Sequence, residues 1–582
     1  MRGQFFKTMV SFSLIGASVF LMTGCSEKKE TSKYKDEITI NVFDSQANFE
    51  GVQTGWFAKI VKDKFNMKLN ITAPNLHEDG NASTLFQSYL TNNSSNDLIL
   101  TSAMFDNLKN LTDSDLLYDF KDKIDDYPYL KQYESQIQKV SSISETSGYW
   151  AIPSEITLED ATSSSEATNS TFEASLRWDL YGAVGYPKLS TLEDLIPVLS
   201  DMKKEAEKQD PDNTYYGFSL FNDWDNGMAM QNANSFLGLY GYTYGNTLVY
   251  KVDGTDMQSL LDKDGIYLRI LRFLFRANQA GLVDPESPTQ NFTDVDAKYR
   301  KGTVLYSLWN WLGAGRFHSK ENLDAGKGYC PVFIDDMTCL SIGSAPDGNS
   351  NFCFMIGANA QDPERMLDFV NWLYSPEGIE ANCSTSDGTC GPEGLTWEMK
   401  DDQPVLTDFG TDVFVSLKSD TLVPEKWGGG TWKEGVSQLN IKPVRVLDMD
   451  TERNMCYSYC LWDDYQKQVE NPLIKDWKSK MNTTKTPIEF FKDTNHLIVN
   501  PGIQYTSPTL ENITQARRKA CIKLIEDYSW KMVFAQDQNE FDILYQTLVV
   551  KTKELDFEKI QELEIEDTNN KFQVIKEALG SN

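Results

Sequence analysis

The chain has 582 residues, 40% of them hydrophobic and 24% charged, with a formal net charge of -30. That length and apolar content suffice for large buried cores and set aside a disordered protein, while the negative field argues against nucleic acid, whose phosphates demand a cationic footprint, and disfavours strongly anionic ligands. Neutral ligands are the natural expectation, and 13 Trp and 26 Tyr leave flat rings for stacking beyond those that fill a core.

At the start, Arg2 and Lys7 precede an apolar run from Met9 to Met22 that ends in Thr23-Gly24-Cys25. A core of roughly 14 residues is short for a bilayer span and suits an export signal. The small residues before Cys25 resemble a bacterial lipobox, with Met22 where that pattern usually has Leu. Residues 1–24 are therefore expected to be a signal peptide and Cys25 the lipid-attachment site, with palmitate among the acyl groups. Residues 25–36, with the polar run Ser26 to Lys33, read as a solvated linker. No later stretch approaches the roughly 18 apolar residues of a membrane span, so the expected state is anchored to a membrane surface without crossing it.

Ile38, Ile40 and Val42 alternate with Thr39 and Asn41, predicting a first strand that ends in the polar loop Asp44-Ser45-Gln46-Ala47-Asn48, placed as cleft-lining loops are. Trp56, Ile60 and Phe65 keep a helical period, and strands follow at Leu69 to Ile71 and Asp97 to Leu100. Strand, helix, strand in this rhythm indicates parallel α/β units.

Further along, a set of segments carries a family resemblance: Asp115 to Phe120 with Tyr127-Pro128, Gly148-Tyr149-Trp150-Ala151-Ile152-Pro153-Ser154, and Arg177-Trp178-Asp179-Leu180-Tyr181. Gly185-Tyr186-Pro187, Thr191 to Leu195, Gly281-Leu282-Val283-Asp284-Pro285 and Tyr299 to Tyr306 continue it, as do Asp362 to Gly378, Gly391 to Trp397 and Glu540-Phe541-Asp542. Together they resemble extracellular solute-binding lipoproteins of ABC importers, of the carbohydrate type and its longer branch. Physically, Ser190 or Thr191 can cap a helix in which Pro197 should introduce a bend, and Asp362-Pro363 opens a helix that Pro376 closes.

The resemblance implies an α/β clamshell of type II, with ligand caught between two lobes and the closed form presented to a permease. Lobe one is expected at 37–154 and 335–380, and lobe two at 155–334 and 381–582, with crossings near Pro153, Pro331 and Gly378. The implied partners are a neutral carbohydrate, the transmembrane subunits of the permease and, through the lipid, a membrane; the chain is expected to work as a monomer without cofactor.

A pyranose offers a C–H face that packs on Trp or Tyr and a hydroxyl rim that pairs with Asp, Asn, Gln and Arg. Phe221-Asn222-Asp223-Trp224-Asp225-Asn226-Gly227 has that mixture, and Trp309-Asn310-Trp311 and Trp427-Gly428-Gly429-Gly430-Thr431-Trp432 are comparable. The candidate ligand contacts are Asp44, Gln46, Trp150, Trp224, Asp225, Trp309, Trp311 and Trp427; the competing reading of each tryptophan is core packing, and of Asp44 a loop cap. Trp372, on the apolar face after Asp362, is expected in the core.

Other chemistries find less support. The three histidines, His77, His318 and His496, accompany no nucleophile motif. Asp210-Pro211-Asp212-Asn213 resembles the start of a calcium loop but lacks the later glycine and acidic ligands, so no metal is expected. Cys383 and Cys390 flank an Asp387-Gly388 turn that could bring the thiols together, and Cys456 and Cys460 share a face if helical, as buried thiols. Asp223 and Asp225 could serve a surface glycosidase, and a peptide or other solute could replace the sugar; these are the rival functions.

Overall fold

The computed structural model describes residues 32–74, 96–104, 106–225, 227–384, 388–508 and 510–580. The signal peptide, Cys25, the first part of the linker, His77 and Asn226 lie outside them.

The alternation at Ile38 becomes β1 (Ile38–Asp44), against which β2 (Gly51–Val52) and β3 (Met67–Thr72) form one side of a sheet. β1 and β3 are parallel, Ile40 facing Leu69 and Val42 facing Ile71, and β4 (Leu98–Thr101) runs parallel on the other flank. β4 is buried throughout, which is why it reads as an unbroken apolar run. β5 (Ile152–Ser154) then takes the chain out of this lobe. β6 (Ser175–Arg177) begins the second lobe, flanked by antiparallel β7 (Tyr306–Ser307) and β8 (Tyr329–Pro331). The chain returns through β9 (Cys339–Ile342), and β10 (Asn349–Ile356) inserts antiparallel between β4 and β5. A third crossing comes after Trp462, and β11 (Leu497–Asn500) lies parallel on β9 between the lobes.

Two buried cores define the lobes. One unites Ile40, Val42, Trp56, Phe354 and Trp372 with Cys383, Trp397, Trp432 and Trp462; the other unites Leu176, Phe218, Phe236, Tyr306 and Ile334 with Trp477, Ile525 and Phe541. Buried residues between 381 and 462 thus pack into the first of these cores, a stretch that the sequence division places with lobe two. The cause is a long-range fit: Trp432 stacks on Trp56 with centroids 5.1 Å apart and planes 9° apart. Behind the pair, Gly55 and Gly435 approach so closely that a Cβ on Gly55 would sit 2.3 Å from the Gly435 Cα. The first core therefore draws on residues 40–156 and 352–462, and the second on 174–339 and 473–560.

Local expectations mostly hold. Asp362 accepts from the Arg365 amide at 3.1 Å and starts the helix Pro363–Leu373, which buries Met366, Phe369 and Trp372. Thr191 and Asp194 form a capping box, and Pro197 lies inside the helix Leu195–Gln209 that follows. It is the third residue of that helix, within the first turn, where the missing amide has no intrahelical partner to lose. Cys383 and Cys390 are buried thiols rather than a bridge. Cys456 and Cys460 share no helix, since one lies in a short strand and the other in a 3-10 turn.

Candidate functional site

β1, β4 and β5 all run the same way, because β10 is antiparallel to both β4 and β5. Their C-terminal ends therefore share the edge at which Ser154 leads to the other lobe, the edge where open α/β sheets receive ligands. The loop after β1 opens there into a hollow of about 690 Å³ lined by Gln46, Asn48, Glu155, Asn349, Gln438 and Asn440, among others. Amides dominate it.

Asp44 shapes this hollow without facing it. It is 0% exposed, its Oδ1 accepts from the Gln46 amide at 3.0 Å and its Oδ2 from the Asn440 amide at 3.0 Å. Asn440 Nδ2 donates in turn to the Gln46 carbonyl at 2.8 Å. The expected ligand contact at Asp44 is thus the loop cap, knotting 44–48 to 437–442. Burial pushes its carboxyl up from 3.8 to about 6 against the pull of three backbone amides. Because the folded value lies above the unfolded one, the associated stability is full below pH 3.8 and is lost as pH rises through about 6. Wild type is expected to lose stability relative to Asp44→Asn over that window, as urea melts at successive pH values would show; parallel curves would refute the assignment.

In lobe two, β6 enters at Ser175 and its antiparallel partner β7 leaves at Ser307, so residues 308–311 return toward the crossings. The Asn310 amide accordingly donates to the Thr171 carbonyl, in the first crossing segment, at 3.3 Å. This places Trp309 and Trp311 at the cleft end of the lobe, stacked with centroids 5.6 Å apart and planes 12° apart. Trp224 joins them, 6.0 Å from Trp311, and stacks on Phe292 at 4.6 Å. Trp309 is 4% exposed and forms the floor, whereas Trp224 and Trp311 are 38% and 37% exposed and form a shelf.

The other candidates lie elsewhere. Asp225, 1% exposed, points into the protein and accepts from Trp530 Nε1 at 2.6 Å and from the Gln231 amide at 2.8 Å, so it does not reach the cleft. Burial pushes its carboxyl up to about 7. Asp223 accepts from the Phe292 amide at 2.8 Å, at the start of the helix Phe292–Lys301. Trp150 packs against a small cluster containing Ile99, Leu111 and Met355, and its Nε1 donates to the Thr146 carbonyl at 3.2 Å. Trp427 packs against the lobe-one core. Phe292 escaped the sequence reading; the capping box of Asn291 and Asp294, which puts it first in its helix, was the available signal.

The two described histidines bond to backbone: His318 Nε2 accepts from the Tyr329 amide at 2.9 Å, and His496 Nδ1 lies 2.6 Å from the Thr494 carbonyl. Asp210 takes hydrogen bonds from Asn213 at 2.8 Å and Tyr215 at 3.0 Å. Among the described residues, no helix is long and apolar enough to cross a membrane.

No protein-family model matches the chain, and no curated protein does. Solved structures do. The S. pneumoniae ABC-transporter substrate-binding protein FusA, in complex with kestose, is similar at 14% identity with a TM-score of 0.59, over 93% of this chain and 100% of its own. The alginate-binding protein AlgQ2 is similar at 13% identity and a TM-score of 0.57, over 93% and 100%. A solute-binding protein from Bifidobacterium longum infantis, described as binding HMO, is similar at 13% identity and a TM-score of 0.50, over 91% and 98%. These likenesses establish the fold: the chain has the two-lobed α/β clamshell architecture of solute-binding proteins.

Proposed function

We propose that this chain captures a neutral oligosaccharide between its lobes and delivers it to the permease of an ABC importer, held at the outer face of a bacterial membrane by a lipid on Cys25. The observation that carries this reading is the pairing of an exposed aromatic shelf, Trp224 and Trp311, with an amide-lined hollow, each at the crossing end of its own lobe. A sugar ring has those two kinds of surface: its C–H face stacks on the indoles and its hydroxyl rim pairs with Gln46, Asn48, Gln438 and Asn440. The FusA structure with kestose supports the ligand class.

The charges favour a neutral sugar over a uronate. Lys433, beside the hollow, pairs with Asp420 at 2.6 Å, Lys442 donates to the Asn382 carbonyl, and the net charge is -30. Hinge closure needs only a few residues of the crossing segments to change dihedral angle.

A thermal-shift panel of kestose, raffinose, maltotriose and cellotriose tests the reading. A binder present at about 100 times its dissociation constant adds roughly 2.7 kcal/mol to the folded state. Sugar recovered unchanged supports a receptor, shortened sugar indicates a glycosidase, and stabilisation by a peptide mixture but by no sugar overturns the carbohydrate assignment.

A further inference from the structure

We infer that Trp530, on the helix Asn512–Val533, and Asp225 are positioning residues that set Trp224 for ligand, an inference that rests on the carbohydrate-binding reading above. Trp224 sits between two anchored carboxylates, Asp223 at the surface and Asp225 buried. Asp223 is held at 2.8 Å by the Phe292 amide, and Asp225 at 2.6 Å by the indole Nε1 of Trp530. The indole between these anchors is 38% exposed and lies beside Trp311 at the cleft end of the lobe.

The loop does not hold this shape by itself. Ala229 has φ 52° and Gly227 φ 82°, and a non-glycine residue in that left-handed region persists where its surroundings over-determine it. Those surroundings are traceable. Asp225 also accepts from the Gln231 amide at 2.8 Å, Asn234 Nδ2 donates to the Met228 carbonyl at 2.6 Å, and the Met230 amide donates to Tyr267 Oη at 3.3 Å. Tyr267 is itself hydrogen-bonded, at 2.9 Å, to Ser529, the neighbour of Trp530. Both ends of the loop are therefore tied to one turn of a helix that lies 305 residues further along the chain from Asp225. The Asp225 bond is short and its acceptor is buried, so its loss leaves a buried oxygen without that donor. Through this anchor, affinity depends on a C-terminal helix that lies behind the shelf.

Titrating the neutral trisaccharide with the largest thermal shift in the panel tests this on four full-length proteins: wild type, Trp530→Phe, Trp224→Ala and the double variant. Phenylalanine keeps the packing and removes the N–H donor, so Trp530→Phe should bind about tenfold more weakly. If it acts through Trp224, the same change in the Trp224→Ala background should cost nothing further, because coupled sites are not additive. Circular dichroism and urea midpoints establish that each variant is folded. Asp225→Asn, whose amide offers one acceptor oxygen to two donors, provides a second route and should reproduce the pattern. Wild-type affinity in Trp530→Phe, or an equal loss in both backgrounds, overturns the inference while leaving the carbohydrate reading intact. Wild-type affinity in Trp224→Ala overturns the shelf, and this inference with it.

Discussion

Trp224→Ala is expected to weaken binding of a neutral oligosaccharide by about 2 kcal/mol, roughly thirtyfold, while leaving the fold nearly unchanged. The ring is 38% exposed, one face rests on Phe292 at 4.6 Å, and its edge meets Phe221 at 4.9 Å. Removing it opens a dent at the surface rather than a sealed cavity, so the stability loss should fall well short of the roughly 3–5 kcal/mol that truncating a buried tryptophan costs. The same substitution at Trp432, 1% exposed and stacked on Trp56, should carry that full penalty. Calorimetric titration and urea melts on Trp224→Ala separate the two roles. A large loss of stability with normal affinity would place Trp224 in the core and remove it from the site.

How much the residues reveal depends on the range of the interactions involved. The alternation of Ile38, Ile40 and Val42 and the Asp362-Pro363 start are local patterns, and the structure has the strand and the helix they predict. The membership of 381–462 was not legible, because it turns on Trp432 meeting Trp56 and on two glycines meeting at Gly55 and Gly435, contacts between residues some 380 positions apart that carry no periodic signal. The site divides in the same way. Trp224, Trp309 and Trp311 stand out as aromatics in polar loops, and the structure gathers all three. Asp44 and Asp225 match the chemistry of sugar recognition equally well, but a loop carboxylate can turn toward ligand or toward backbone amides, and composition does not distinguish the two. In this protein both turn inward, where unsatisfied amides and an indole N–H require an acceptor.

Arg445→Ala is expected to cost about 3–5 kcal/mol, as removal of one partner of a largely buried ion pair does. Its Nε donates to Asp448 at 2.7 Å, and one of its terminal nitrogens reaches the Ser164 carbonyl at 3.0 Å and Ser344 Oγ at 2.6 Å. Those two partners belong to different crossing segments, so a lobe-one guanidinium ties both. Asp448 adds a third link by accepting from Thr157 Oγ1 at 2.8 Å. Beside them, Glu155 and Ile156 donate their amides to the carbonyls of Lys442 at 2.8 Å and Pro443 at 3.2 Å. The stretch 436–442 that lines the hollow therefore runs directly into the stretch that clasps the hinge. With alanine at 445, Asp448 loses its guanidinium and retains the Thr157 hydroxyl, in a setting where burial already raises its carboxyl. The lobes should then sample a wider range of separations: a larger scattering radius without ligand, at unchanged molecular mass, together with the loss of stability in urea. Arg445→Lys, which keeps the charge but not the forked geometry, should fall between the two. An alanine variant with the wild-type urea midpoint and radius would show that the clasp holds neither the fold nor the hinge.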